Sequence, residues 1–221
     1  MPTYRCLPWV SDMTDSSDYK KNTLALRPAN PEGKGLRGFL KDADEVAPRG
    51  VVAKPQPQIL AEFFTSMLVL SARFSHKPAV GVANYLYFID GHWSLSLIAP
   101  DQWSKARQQA FAGVCSLQHD RTWTIRLAET WDDKKPVVDA IRRAYDAFAA
   151  TLDQDGTLED ILPFHVGNLP YYQRLNANAL GNSIRATMTL GDQRDIPTRE
   201  WAPALPNFQD MVDRDENSTE S

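Results

Sequence analysis

His119 and Asp120 are the adjacent residues of this sequence whose side chains best suit acid–base chemistry. A carboxylate beside an imidazole can fix the tautomer of the ring and raise its basicity, which prepares the ring to accept a proton from a substrate. In a tight turn, however, an aspartate more often bonds nearby backbone amides while the histidine packs or faces water. The pair is therefore a candidate catalytic site, and a turn without chemistry is the more common outcome for such a pair.

Trp93, Trp103 and Trp123 lie in or beside segments that alternate like strands. Such rings can form an aromatic surface for a ligand, but tryptophans in alternating strands usually belong to the core. We expect core positions in general, and we keep Trp103 and Trp123 as candidate ligand- or partner-binding residues.

The stretch Gly33-Lys34-Gly35 invites comparison with loops that bind phosphate through backbone amides. The Walker form requires four residues between its glycines and a serine or threonine after its lysine, whereas Leu36 follows soon after here. The sequence therefore predicts a structural loop. Contact with phosphate or nucleic acid through Lys34, Arg37 and Lys41 is the alternative.

Motifs for metal binding and hydrolase chemistry are not found. The four histidines are not paired at helical spacing and have no paired cysteines beside them, so we predict no metal site and no cofactor. A Gly-x-Ser-x-Gly elbow is also missing, although its absence does not exclude serine chemistry. The histidines are His76, His92, His119 and His165.

Several features predict a cytoplasmic protein that does not enter a membrane. No stretch approaches the roughly 18 uninterrupted apolar residues of a membrane span. Near the first residue the chain carries acidic side chains where a secretory signal needs a basic start and an apolar run. Cys6 and Cys115 are predicted to be reduced thiols, with Cys115 as a small buried residue because it shares an alternation phase with Phe111 and Leu117.

Charge is distributed unevenly along a chain whose net charge is −4. Residues 207–221 hold five acids against Arg214, whereas residues 20–54 hold eight basic residues against four acids. A basic arm and an acidic tail can attract each other or contact partners, but solubility explains a short acidic tail about as well. A protein partner is therefore possible, nucleic acid is an unlikely one, and the oligomeric state stays open.

Period-two alternation predicts two pairs of strands. Residues 82–89 and 92–99 flank Asp90-Gly91, a two-residue hairpin signal, with Trp93, Leu95 and Leu97 expected inside. Residues 111–118 and 122–127 flank a turn at residues 119–121. Between the pairs, Pro100 and Asp101 are expected to open a short helix with Trp103 in its first turn.

Three longer helices are predicted by apolar residues at steps of three and four. The first runs over residues 58–74, the second starts near Pro136 and stops before Asp155-Gly156, and the third covers residues 170–190. Residues 27–38 are expected to form a loop, apart from one helical turn near Leu36 and Leu40. Prolines beyond Gly191 predict an irregular wrap pinned by Trp201.

The strand region resembles a known family. The similar strings are Tyr85–Tyr87, Ser94–Trp103, Phe111–Gly113, Leu117–Asp120 and Trp123-Thr124. Together they resemble the domain of unknown function 2452 family, whose members occur in bacteria and eukaryotes. The likeness covers residues 59–125, about a third of the chain, and residues 206–209 are similar to a string in a eukaryotic member. The resemblance implies a domain assignment and no activity, cofactor or catalytic residue.

These patterns predict an α+β fold in which an antiparallel sheet of four strands, in ββαββ order, packs against three longer helices. We expect a disordered leader (residues 1–23), one globular domain (24–206, of which 24–57 form a loop-rich basic arm) and a disordered acidic tail (207–221). The favoured function is a non-enzymatic binding or scaffold protein. A small-molecule enzyme using His119 and Asp120 is the alternative, and nucleic-acid contact through the basic arm is the weaker one.

Overall fold

Seven helices and four strands make up the part of the chain that the computed structural model describes, residues 34–163 and 169–212. The strands are β1 (Ala83–Ile89), β2 (His92–Ser96), β3 (Phe111–Leu117) and β4 (Trp123–Leu127). The helices are α1 (Lys34–Glu45), α2 (Gln56–Leu70), α3 (Lys105–Gln109), α4 (Lys135–Leu152), α5 (Tyr171–Leu190), α6 (Thr198–Trp201) and α7 (Phe208–Val212). The predicted leader, with Cys6, and His165 lie outside the described residues.

The four strands form one antiparallel sheet in the order β2-β1-β3-β4. Leu86 at its centre pairs with Leu95 of β2 on one side and with Gly113 of β3 on the other. The short helix α3 follows β2 and precedes β3 in the chain, so the predicted ββαββ order is confirmed. Together with the three longer helices α2, α4 and α5, this confirms the α+β prediction.

The β1–β2 hairpin follows from its turn chemistry. Asp90 and Gly91 both have positive φ values, 50° and 79°, as the two central residues of a type I′ turn require. Trp93 and Leu95 are buried on the helix-covered face, as predicted. Leu97 was predicted to join them, but β2 ends at Ser96 and the Leu97 side chain is 54% exposed.

Helix α2 forms the centre of the core. Pro57 lies in its first turn, where the missing amide costs nothing, and ten of its fifteen residues are buried. The ring of Phe63 meets that of Phe148 in α4 edge-on, with centroids 5.4 Å apart. The helix ends at Leu70 and not near residue 74, because the Arg73 backbone amide donates to the Trp93 carbonyl and extends the sheet edge.

Helices α4 and α5 complete the helical layer. Helix α4 has Pro136 in its first turn and buries Ile141, Phe148 and Leu152, as its apolar period predicts. Helix α5 begins after Pro170 and packs mainly against α2. Beyond it the chain wraps irregularly, and Trp201 is fully buried, as predicted.

The prediction of a loop over residues 27–38 is wrong for its described part, because α1 begins at Lys34. The helix is longer than the single turn expected, so the described part of the arm is less loop-rich than the composition suggests. Distant contacts outweigh the poor helix propensity of its glycines. The Tyr171 hydroxyl donates to Asp42 at 2.7 Å, and the Lys77 ammonium lies 3.6 Å from the same carboxylate.

Two further predictions need correction. Trp103 does not lie in the first turn of a helix, because Pro100–Gln102 form a separate 3-10 turn and α3 starts only at Lys105. The acidic tail, predicted to be disordered from residue 207, begins with α7 at Phe208. Packing of Phe208 on the core and capping by Asn207 account for this helix. Residues 213–221 lie outside the described residues.

Within the two described ranges, no helix combines the length and the apolar character that crossing a membrane would require.

Candidate functional site

The His119-Asp120 pair sits in the turn between β3 and β4. The turn closes through a hydrogen bond from the Gln118 amide to the Thr122 carbonyl, 2.9 Å long. Asp120 Oδ1 accepts hydrogen bonds from the Thr122 amide (3.1 Å) and the Thr122 hydroxyl (2.7 Å). His119 is exposed, and its ring makes no hydrogen bond to Asp120 or to other residues in the described part of the chain. The structure therefore places the two side chains in different environments.

The second oxygen of Asp120 binds Lys54. Lys54 Nζ donates to Asp120 Oδ2 at 2.7 Å and to Glu62 Oε2 at 2.6 Å. All three side chains are largely withdrawn from water, with 10% of the Lys54 side chain exposed, 12% of Asp120 and 19% of Glu62. Lys54 precedes α2, Glu62 lies on α2 and Asp120 lies in the β3–β4 turn, so this triad joins three separate parts of the chain.

Hydrogen bonds and charge pairing keep Lys54 and Asp120 ionised despite their burial. Burial disfavours the ionised carboxylate of Asp120, but hydrogen bonds from Lys54 and Thr122 outweigh it and lower the pKa of Asp120. Burial likewise disfavours the Lys54 ammonium, yet hydrogen bonds to Asp120 and Glu62 raise the pKa of Lys54. Neither of these two pKa shifts moves its group toward pH 7.

Trp123 belongs to the core. Only 1% of it is exposed, and its backbone amide donates to the Ser66 hydroxyl of α2 at 2.8 Å. Trp103, by contrast, is half-buried and packs edge-on against Tyr87, with centroids 6.4 Å apart. The structure does not bring the two predicted tryptophans together, so they do not share one ligand surface.

Trp103 is part of a group of rings on the sheet face opposite the helices, here called the outer aromatic cluster: Tyr85, Tyr87, Trp103 and Phe111. Tyr87 is its buried centre, and its hydroxyl donates to the Ile98 carbonyl at 2.8 Å. Burial raises the pKa of Tyr87 to about 12, so the hydroxyl stays neutral. The other three rings are half-buried and reach the surface.

Two cations lie over this cluster. The Arg107 guanidinium carbon is 4.0 Å from the Trp103 ring centroid, within the range of a cation–π interaction. Lys134 Nζ is 5.6 Å from the Phe111 ring centroid and donates to the Phe111 carbonyl at 2.8 Å. Arg107 is exposed, so its guanidinium can reach a ligand while it stacks on the ring.

The remaining predicted residues are placed only in part. The backbone of Lys34 and Arg37 belongs to α1, and their side chains lie outside what the structure describes. Among the described residues, no group of three or more histidine, cysteine, aspartate or glutamate side chains is arranged to hold a metal ion. Cys115 is buried and unpaired, and burial raises the pKa of its thiol, which makes it a poor nucleophile.

Comparison with known proteins gives no further guide. No family model, no curated protein and no solved structure matches this chain. Membership of the domain of unknown function 2452 family therefore stays a prediction, and function has to be inferred from the contacts described above.

Lys54, Glu62 and Arg107 were not among the residues singled out from the sequence. Lys54 and Asp120 are 66 positions apart, so no local spacing links them. Glu62 gives a weak signal, as an acid among the apolar residues of α2, with Gln58 one turn earlier donating to its Oε1 at 2.9 Å. Arg107 follows Trp103 at a spacing of four, which brings two side chains together on a helix. Trp103, however, lies before α3 and is not part of that helix.

Proposed function

We propose that the protein is a non-enzymatic binding protein and that the outer aromatic cluster is its ligand surface. The observation that carries the proposal is the stack of the exposed Arg107 guanidinium on the half-buried Trp103 ring. An aromatic face beside a fixed positive charge suits an anionic ligand that carries a planar ring, since the ligand can stack and pair its charge at one place.

The side chains near this cluster favour such a ligand. Leu97 and Ile98, which follow β2, are 54% and 40% exposed and extend the apolar part of the surface. Arg126 of β4 is exposed as well, and the register pairs it with Val114 of β3. The outer face of the sheet thus combines apolar area with the positive charges of Arg107 and Arg126, a combination that suits a planar anion.

The carboxylates of the triad are less suited to chemistry. Both carboxylates already bond Lys54, and the Asp120 oxygens are occupied by Lys54 and Thr122. A general base needs an available lone pair and a pKa near the working pH, whereas the pKa of Asp120 is lowered. We therefore assign the triad a structural role.

A thermal-shift screen tests the binding proposal. The probes are ATP, GTP, a short single-stranded oligonucleotide, inorganic phosphate and a poly-glutamate peptide. A ligand at about 100 times its Kd stabilises the native state by about 2.7 kcal/mol, which raises the Tm of a domain of this size by about 5–10 °C. We expect a probe with both charge and a ring to raise the Tm more than phosphate or poly-glutamate does.

Matched variants locate the ligand. Arg107→Met should abolish the shift because it removes the stacked charge, whereas Arg143→Met, which removes an exposed arginine from α4, should leave the shift intact. If no probe raises the Tm, or if the shift survives in Arg107→Met, the outer aromatic cluster is not the ligand surface.

Acid–base catalysis by His119 and Asp120 is the alternative hypothesis. Its support is that the His119 ring is exposed and makes no hydrogen bond in the described part of the chain. It requires the ring to turn toward Asp120 when a substrate binds. Catalysis at this turn predicts that a ligand found in the screen stabilises wild type but neither His119→Gln nor Asp120→Asn, whereas binding at the outer aromatic cluster predicts the same Tm shift in all three proteins.

A further inference from the structure

Phe208, at the start of α7, packs against α4 and the link that precedes α4. Its ring meets the Tyr145 ring edge-on, with centroids 5.7 Å apart, and the Trp131 ring with centroids 6.3 Å apart. The Arg142 guanidinium carbon is 4.5 Å from the Phe208 ring centroid. We call Trp131, Arg142 and Tyr145 the aromatic groove. It accepts one phenylalanine ring between two aromatic rings and a cation.

The groove also recognises the backbone of the segment that it holds. The Tyr145 hydroxyl donates to the Pro206 carbonyl at 2.9 Å, two positions before Phe208. The Tyr145 ring is fixed from below by Phe64 of α2, whose ring centroid is 5.9 Å away. One side chain therefore supports the anchor ring and binds the chain that leads to it, as peptide-recognition sites do.

The docked segment organises itself locally. Asn207 Oδ1 accepts a hydrogen bond from the Asp210 amide at 3.0 Å, and Asn207 Nδ2 donates to Asp210 Oδ2 at 2.6 Å. These bonds cap the first turn of α7 from within residues 207–210. The segment thus carries its own turn geometry, and a peptide of the same sequence contains all the atoms of that cap.

Removal of the segment should leave the groove intact. Helix α4 supplies Arg142 and Tyr145, and it is held in the core independently by Val137, Ile141 and Phe148. The segment itself forms a helix of five residues, too short to persist without packing, and its anchor ring is only partly buried. The short segment therefore depends on the groove for its structure, whereas the groove does not depend on the segment.

We propose that the aromatic groove is a peptide-docking site, that residues 206–210 occupy it as a built-in ligand, and that a partner segment of the same chemistry displaces them. That chemistry is a phenylalanine in a self-capped helical turn, two positions after a residue whose carbonyl bonds the Tyr145 hydroxyl. The site is separate from the outer aromatic cluster, so the two proposals stand or fall independently.

Competition in the full-length protein tests this. A fluorescein-labelled peptide with the sequence of residues 206–221 is titrated with wild type and with Phe208→Ala, and binding is followed by anisotropy. If the built-in segment fills the groove about nine times in ten, the free fraction is about one tenth and the apparent affinity of wild type is about tenfold weaker. We expect Phe208→Ala to bind the peptide about tenfold more tightly than wild type.

Three controls complete the experiment. Asn207→Ala in the protein weakens the built-in ligand without altering the groove, so it should also bind the peptide more tightly even if Phe208→Ala folds poorly. A peptide with alanine in place of Phe208 should not bind. Arg142→Met, combined with Phe208→Ala, should weaken peptide binding, whereas Arg143→Met in the same background should not. Equal affinity of wild type, Asn207→Ala and Phe208→Ala, or binding of the alanine peptide, would overturn the proposal.

Discussion

At the scale of single residues, Lys54 joins three separate parts of the chain. Its ammonium bonds the carboxylates of Glu62 and Asp120, and its backbone carbonyl accepts a hydrogen bond from Gln193 at 3.0 Å. Replacing a half-buried cation and both of its acids by apolar residues of similar size changes the free energy of unfolding little. Removing only one of the partners is costly, because it leaves a buried charge unpaired. We therefore expect loss of any one of the three charged groups to destabilise the fold.

Replacing Lys54 with methionine tests this directly. The variant keeps an unbranched side chain of similar length but leaves Asp120 and Glu62 without their cation, so we expect the free energy of unfolding to fall by about 2 kcal/mol at pH 7. Urea unfolding followed by tryptophan fluorescence measures the loss. Lys77→Met, which removes the cation from the more exposed carboxylates of Asp42 and Glu45, should cost clearly less.

The loss should depend on pH with a defined sign. The folded-state pKa of Asp120 is lowered, so its contribution is present above its unfolded pKa of about 3.9 and disappears as pH falls through the folded value. The raised pKa of Lys54 limits the contribution only at the alkaline end. The difference between wild type and Lys54→Met should therefore be full near pH 7 and shrink below about pH 4. A difference that stays constant down to pH 2 would show that lost packing, not charge, causes it.

At the scale of elements, the sheet depends on close contact between β3 and β4. A Cβ at position 113 would lie 2.5 Å from the Arg126 carbonyl oxygen and 2.9 Å from the Leu127 Cα. Both are backbone atoms, so the clash can be relieved only by moving the two strands apart. Gly113 also faces Leu86 of β1, which places it beside the centre of the sheet.

Gly113→Ala should accordingly destabilise the protein by about 1–3 kcal/mol, measured by urea unfolding. Gly38→Ala is the matched control: its added Cβ would meet nothing within 4 Å, and it lies in α1, where alanine is the better helix former. We expect Gly38→Ala to be neutral or to stabilise by up to about 1 kcal/mol. If both substitutions have the same effect, steric pressure between β3 and β4 is not what selects glycine at position 113.

Elements were predictable from the sequence where local chemistry decides them. Asp90 and Gly91 readily adopt the positive φ values of a hairpin turn, and the fixed φ of Pro136 suits the first turn of α4. The hairpin and the start of the helix could therefore be predicted. Helix α1 could not be, because it is stabilised by Tyr171, which lies 129 positions from its partner Asp42. The triad was missed for the same reason, since Lys54 and Asp120 meet only after the fold has formed.

At the scale of the whole molecule, one hydrophobic core connects both layers. It contains residues of α2, of the sheet, of α4 and α5, and of the wrap that follows, and these parts are represented by Phe63, Leu86, Phe148, Leu180 and Trp201. Contacts between elements distant in sequence are common, and Trp201 of the wrap after α5 belongs to the same core as the sheet. The residues buried in this core should therefore unfold together.

Differential scanning calorimetry tests this cooperativity. We expect a single transition whose van't Hoff and calorimetric enthalpies agree. Trp201→Ala removes a fully buried side chain from the wrap and should cost about 3–5 kcal/mol, lowering the Tm of the whole transition without splitting it. Leu190→Ala, at a residue 60% exposed, should change stability by less than about 0.5 kcal/mol. Two resolved transitions in Trp201→Ala would mean that the wrap and the sheet belong to separate cooperative units, because only then can the wrap melt while the tryptophans of the sheet stay buried.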